Sequence, residues 1–292
     1  MQNDKTTLRD LAIFPTDGSG GVFALIDCTT TQNGRDVLRK HVLQPPATLA
    51  ALQQVQDVVQ FWSRHLTSWP TIITNGTLVM LEKFFESADN TAMPPTGIAG
   101  AMAHLFQRLF NKREYFFTRF SLSHIADFLK GCTELVALTD HTELPALLQQ
   151  ELQLMQQELM HPLAAEIMAV TDRTPHPELS LLQYKARRIL KNPIYRLMAS
   201  YAWLDAWQSM ARATVTHQWA FPVLLAEEPV TFTATGIYHP LLSQPVAYDI
   251  SLGAGRNFML ITGANMSVKT TFLRAMGIAS LLAHLGMGVP AK

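Results

Sequence analysis

Cysteine is nearly absent: Cys28 and Cys132 are the only two in 292 residues. That excludes a disulfide framework and fits a reducing compartment, with both thiols read as small buried or half-buried side chains. Charge is also scarce. Charged residues make up 16% of the chain and the formal net charge is zero, so no global basic footprint for nucleic acid exists, although a local patch is compatible with this balance. No run reaches the roughly 18 apolar residues that a membrane helix needs; the longest, Ile278 to Val289, is interrupted by His284, Gly286 and Gly288. The polar start Met1-Gln-Asn-Asp-Lys5 has no apolar stretch behind it, so no secretory signal is read and a soluble, cytoplasmic protein is expected. Internal repeats and low-complexity tracts are missing. His161-Pro162, His176-Pro177 and His239-Pro240 are scattered without metal-ligand spacing and read as turn or cap residues. No Ser-His-Asp or Cys-His arrangement emerges from spacing.

What is present is apolar and, for most of its length, helical. Hydrophobic residues are 48% of the chain, enough for a sizeable core in one large or two ordinary domains. Apolar residues recur at helical spacing through about residue 225. A helix is expected over 35–43, stopped by Pro45-Pro46, and another over 49–62, capped by Thr48 with Leu52, Val55, Val58, Val59 and Trp62 as its buried stripe. Further helices are expected over 98–110, 121–138 and 143–170, the last poor in charge and so packed inside a bundle. A long helix over 179–210 should be interrupted or kinked at Pro193. Its segment Tyr184 to Lys191 is the most basic stretch, read as a solvated helix face ahead of a phosphate contact. The cluster Phe110, Arg113, Tyr115-Phe116-Phe117, Arg119 and Phe120 reads as a core or interface anchor ahead of a base-stacking platform. The glycine-rich stretch 17–21 reads as a loop.

The pattern changes near Trp219. Short β-rich runs at 220–225, 230–237 and 257–262 are separated by Pro, Gly and charged residues. The third leads directly into Gly263-Ala264-Asn265-Met266-Ser267-Val268-Lys269-Thr270-Thr271, whose spacing is that of the Walker A phosphate loop. The chemistry follows from the geometry expected. Unpaired N–H groups and the helix dipole make an anion site. Lys269 neutralises β- and γ-phosphate oxygens, and the Thr270 hydroxyl ligates Mg²⁺ held by ATP or ADP. Val268 stands where the pattern has a glycine, usually at positive φ; a β-branched residue there costs about 1–3 kcal/mol. Hydrolysis further requires a metal-binding carboxylate on a downstream strand. The 22 residues after Thr270 contain no Asp or Glu, so the expectation is nucleotide binding without turnover by this polypeptide.

The run Leu260 to Arg274, with Asn265-Met266 inside the loop, followed by Leu282-Ala-His-Leu-Gly286-Met-Gly-Val289-Pro290-Ala291, resembles the DNA mismatch repair protein MutS family. Gly236-Ile-Tyr-His239-Pro240-Leu241-Leu242 is similar to the element that opens the family's ATPase domain. Val246 to Leu252 resembles a stretch beside the adenine there, which makes Tyr248 a stacking residue by resemblance, although the family has Asn at that position. At the other end, Leu25-Ile-Asp27-Cys-Thr-Thr30-Thr31-Gln-Asn-Gly34-Arg35 and Gln44-Pro45 resemble the start of the family's helical core. The resemblance implies a mainly α chain: a helical core/lever domain over 1–217, its clamp reduced or absent, and the N-terminal part of an α/β P-loop ATPase domain over 218–292. It also implies DNA, mismatched or branched, as a partner and a homodimer formed through the ATPase domain. The family's mismatch-reading and connector domains have no place before residue 7, and Phe84-Phe85-Glu86 matches the mismatch-reading Phe-x-Glu in letters alone. The alternative reading is a non-catalytic helical scaffold or partner-binding protein with a relic phosphate loop.

Overall fold

The computed structural model describes residues 5–14, 20–87, 112–226, 231–262 and 268–292. The expected helix over 98–110 and the phosphate-loop residues Gly263, Ala264, Asn265, Met266 and Ser267 lie outside them. The fold is mainly helical, with two antiparallel strands. In chain order the elements are α1 (Lys5–Asp10), α2 (Gly21–Ile26), α3 (Gln32–Leu43), α4 (Leu49–Arg64), α5 (Asn75–Glu86), α6 (Lys112–Val136), α7 (Ala146–Leu159), α8 (Pro162–Met168), α9 (His176–Ile189), α10 (Lys191–Thr216), β1 (Phe232–Ile237), β2 (Tyr248–Leu252) and α11 (Val268–His284).

Helix α10 is the axis of the molecule. Leu197, Tyr201, Leu204, Trp207 and Met210 are all buried, and so are its polar residues Asp205, Gln208 and Ser209. A helix enclosed on most sides must be apolar most of the way round. Helices α2, α3, α4, α7 and α9 pack against it. The expected long helix is in fact two, α9 and α10, parted at Leu190 rather than at Pro193. Pro193 falls in the first turn of α10, where a missing N–H breaks no helical bond. The stretch expected as one helix over 143–170 likewise divides. Pro162 opens α8, and His161 caps it by accepting from Leu163 N at 3.1 Å. Thr48 caps α4 as expected, accepting from Ala51 N at 3.2 Å.

A buried carboxylate fixes the N-terminal segment to this axis. Asp205 accepts from Thr30 N and Thr31 N, each at 2.9 Å, and from the hydroxyls of Thr30 at 3.0 Å and Thr31 at 2.7 Å. Burial raises its pKa, and these four donors oppose that shift. Thr31 is also the N-cap of α3, accepting from Gly34 N at 3.1 Å. A Cβ at Gly34 would lie 2.2 Å from Asp205 Oδ2, so only glycine admits the carboxylate. Beside this, Ser209 donates to Ile26 O and accepts from Cys28 N, both at 2.7 Å. The run Thr30-Thr31-Gln-Asn-Gly34 is therefore a docking sequence for α10.

β1 and β2 pair antiparallel, Phe232 with Leu252 and Ile237 with Tyr248, around a bulge between Ala234 and Ile237. Two expected strands are not formed. Of 220–225 only Ala220 makes a bridge, to Val289, and 257–262 is irregular. A strand inside a parallel sheet needs a neighbour on each side for its backbone groups. Among the described residues no strand flanks 257–262, and its Phe258 and Leu260 are 78% and 76% exposed.

Candidate nucleotide-facing site

The helix expected after the Walker A-like run is formed. Val268 opens α11, and Lys269, Thr270 and Thr271 follow in its first turn, Thr270 exposed and the other two half-buried. The first-turn N–H groups of a helix this long lack internal acceptors and carry the positive end of its dipole. Phe272, one residue further, is buried. The Tyr248 ring meets it edge-on, with centroids 5.2 Å apart and planes at 79°. So the structure brings Tyr248, Lys269 and Thr270 into one neighbourhood.

His239 belongs to the same end. It is buried, and its Nδ1 accepts from Leu241 N at 3.3 Å. Burial first, and then the positive charge of Arg274 on α11, hold its pKa below the usual histidine value. Gly236 N, preceding it, donates to Asp249 Oδ1 at 2.7 Å. The two motifs taken from the β-rich segment thus converge on α11 through β1 and β2.

The opposite end of α11 is fastened to the helical body. His41 of α3 is buried, and its Nε2 is 2.9 Å from Leu285 O, a contact in which the ring N–H donates to the carbonyl. Burial lowers the His41 pKa, the carbonyl contact opposing it, which keeps the ring neutral near pH 7. Gly286 takes φ +80°, and a Cβ there would lie 3.0 Å from Gln56 N and from Val55 Cγ1 of α4. Gly288 N donates to Thr214 Oγ1 of α10 at 3.1 Å. Ala220 and Val289 exchange backbone bonds at 3.2 and 2.9 Å. Gln56 itself donates to Pro222 O at 2.9 Å. Sequence reasoning missed His41, Gln56 and Thr214, because contacts across some 70 to 240 positions leave no local signal. Only the glycines of the tail hinted at close approach.

The other sequence features go elsewhere. Arg187 of the basic stretch is buried rather than solvated. It donates to Ser87 O at 2.8 Å and Ser87 Oγ at 2.9 Å, and its guanidinium lies 4.4 Å from the Phe84 ring centre. Lys185 pairs with Glu166, and Arg188 lies over Tyr184. Phe84 and Phe85 are core residues. Phe116 and Phe120 are exposed, while Arg119 donates to three carbonyls of Thr171, Asp172 and Thr174 between α8 and α9. Phe110, and the side chains of Arg113 and Tyr115, lie outside the described residues. Cys28 and Cys132 are both free, each with its pKa raised by burial. Among the described residues no cluster of three His, Cys, Asp or Glu is placed to hold a metal, and no helix is long and apolar enough to cross a membrane.

No family model matches the chain. Individual proteins do. It is similar to the DNA mismatch repair protein MutS of Lawsonia intracellularis, 34% identical over 142 residues, which is 46% of this chain and 16% of that protein. It is 35% identical over 115 residues to the MutS of Treponema denticola, covering 34% of this chain and 13% of the relative. Against MutS 1 of Haloarcula marismortui it is 34% identical over 92 residues, 30% of the chain and 10% of the relative. The chain therefore spans less than a fifth of the length of these relatives. These likenesses, over 30–46% of the chain, support a MutS-like relationship.

Proposed function

We propose that this chain is the nucleotide-responsive part of a MutS-like, DNA-associated protein. Residues 218–292 are read as the beginning of a P-loop ATPase domain and 1–217 as the helical lever on which it rests. The observation that carries the proposal is the two-ended character of α11: Lys269 and the exposed Thr270 lie in its first turn, while just past its C-terminus Leu285 and Gly288 are hydrogen-bonded to α3 and α10 and Gly286 packs closely on α4. A charge bound at one end then acts on a helix embedded in the body at the other.

The chemistry of the described residues fits a Mg-nucleotide. Backbone N–H groups from Asn265 to Thr271 would donate to its phosphates, Lys269 would neutralise them, and the exposed Thr270 hydroxyl would reach the Mg²⁺. Tyr248, beside Phe272, would flank the base. ATP would supply the phosphate charge; in this reading the chain's residues hold it and pass on strain. The names of the relatives bring DNA mismatch repair as the setting, and the resemblance adds recombination as a second setting and a homodimer through the ATPase domain.

Titration with Mg-ATP tests this. Binding that Lys269→Ala abolishes supports the nucleotide switch, with an affinity lowered by Val268; Val268→Gly should tighten it about tenfold or more, by relief of about 1–3 kcal/mol of strain. Absence of binding even in Val268→Gly overturns it. Salt-sensitive DNA binding by a protein containing this chain is the second expectation. A relic phosphate loop on a helical scaffold is the competing reading, favoured by the irregular, exposed 257–262 stretch. It expects Lys269→Ala to change nothing.

A further inference from the structure

Two histidines of the helical body, far apart in sequence, meet at its surface. His65 ends α4, its N–H donating to Trp62 O at 3.0 Å. His141 ends the single turn Ala137–Asp140, its N–H donating to Leu138 O at 3.0 Å. Helical hydrogen bonds therefore set both backbones. The two segments are also tied beside the histidines, where Arg64 Nη1 lies 3.4 Å from Glu143 Oε2. The imidazole rings themselves meet with centres 5.3 Å apart.

The His65 ring is fixed twice. It stacks on the fully buried Phe61, with centres 4.3 Å apart and planes at 24°, and its Nδ1 lies 2.8 Å from Phe61 O. A carbonyl only accepts, so Nδ1 carries the proton and Nε2 keeps its lone pair. That tautomer, held by a backbone carbonyl, is the one metal-ligating histidines use. His141 is exposed, and among the described residues its ring nitrogens have no hydrogen-bond partner. Its ring centre is 6.1 Å from that of Phe61. Were His141 over the free face of the His65 ring, that separation would approach the sum of the other two. It lies instead beside the rim, where ring nitrogens point.

Such a pair fits a cation. Two imidazoles on one tetrahedral ion, each nitrogen about 2.0–2.1 Å from it, hold their ring centres roughly 5 Å apart. Imidazole nitrogen selects zinc-like ions over Mg²⁺ and Ca²⁺, which take oxygen. Among the described residues no third His, Cys, Asp or Glu is placed to join the pair, so water completes the coordination. We propose that His65, through Nε2, and His141 form a two-histidine site for a divalent transition cation of the Zn²⁺ type. Bound there, the ion clips the end of α4 to the segment that leads into α7. Val55 and Gln56, which meet Gly286 and Pro222, lie on the same helix, Gln56 about 13 Å back along it. The ion thus braces the helix on which the tail of α11 rests. The proposal does not depend on nucleotide binding, so either can fail alone.

Calorimetric titration of the 292-residue protein with ZnCl₂ tests it, in a non-chelating buffer at about pH 7.5, where free imidazole is neutral. His65→Gln and His141→Asn should each weaken Zn²⁺ binding at least about tenfold. The double variant should lose little more than either alone, since one imidazole makes no chelate. Zn²⁺ should also raise the urea midpoint of the wild type and leave that of His141→Asn in place. Because His141 is exposed, this variant should unfold like the wild type when metal is withheld, and it decides the matter alone if His65→Gln fails to fold. A wild type that takes up no Zn²⁺ at submillimolar concentration overturns the proposal. So does Zn²⁺ binding that His141→Asn leaves intact, or that millimolar Mg²⁺ displaces.

Discussion

The helical body and the segment after Trp219 solve the burial problem differently. In the body, side chains as large as Phe61, Trp62, Phe84, Phe128 and Tyr201 are fully enclosed, and α10 meets a partner on nearly every face. After Trp219 the described residues form two strands and one helix. Half of the eighteen exposed large apolar side chains among the described residues fall between Val223 and Leu273. The difference lies in where hydrogen bonds go. Helices satisfy their backbone internally, so a bundle closes with whatever helices are present. A sheet satisfies each strand through its neighbours, and stays open at every edge that lacks one. Helix α11 belongs to both regimes, buried at Leu281 and Leu282 near its C-terminus, as are Leu285 to Val289 beyond it, and exposed at Thr270.

The same substitution placed in each region breaks or sustains this contrast. Leu204→Ala, in the body and fully buried, should cost about 2–5 kcal/mol in urea unfolding. Leu242→Ala, 45% exposed, should cost under about 0.5 kcal/mol; equal costs would erase the distinction. Asp205→Ala leaves four donors of Thr30 and Thr31 without an acceptor and should cost about 3 kcal/mol. The loss should show as well in exchange of the first-turn amides of α3. Gly286→Ala forces a Cβ into left-handed backbone against α4 and should cost about 1–3 kcal/mol, loosening α11 from the body before α10 unfolds.

The smallest effect is the pH dependence of the same junction. Burial holds folded His41 below its ordinary value of 6.5, so the unfolded chain takes up the proton first. The stability this gives is fully present above about pH 6.5 and is lost as pH falls from there toward the folded value. His239 acts in the same direction. His41→Gln keeps a donor for Leu285 O but no longer titrates, so its unfolding free energy should change less between about pH 7 and 5 than that of the wild type. An unchanged slope would remove His41 from the account.

Most of the body was legible because helical periodicity and caps are local: Thr48 and the stripe of α4 are where the pattern puts them. The break between α9 and α10 moved by three residues because proline is tolerated in a first turn, a choice that tertiary packing makes. The strands were legible only in part. β1 lies within the run expected at 230–237, but 220–225 and 257–262 have strand sequences without strand partners, and pairing is not a local property. At the site, the loop's helix, Lys269 and Thr270 follow from motif spacing alone. The fastening of that helix to the body by His41, Gln56 and Thr214 does not, since each contact joins distant positions. The docking of Thr30-Thr31 on Asp205 was half visible, as a family-like run whose reason lay in a helix 174 residues away.

Hydrogen exchange of the whole chain, with and without Mg-ATP, tests the two-ended role of α11 most directly. The amides of Leu281 to Val289 should open only together with those of α10, whether or not nucleotide is present. Mg-ATP should slow exchange in the first turns of α11 in the wild type and leave Lys269→Ala unchanged. Independent opening of 281–289 while α10 stays protected, or no response of the wild type to Mg-ATP, would contradict the account.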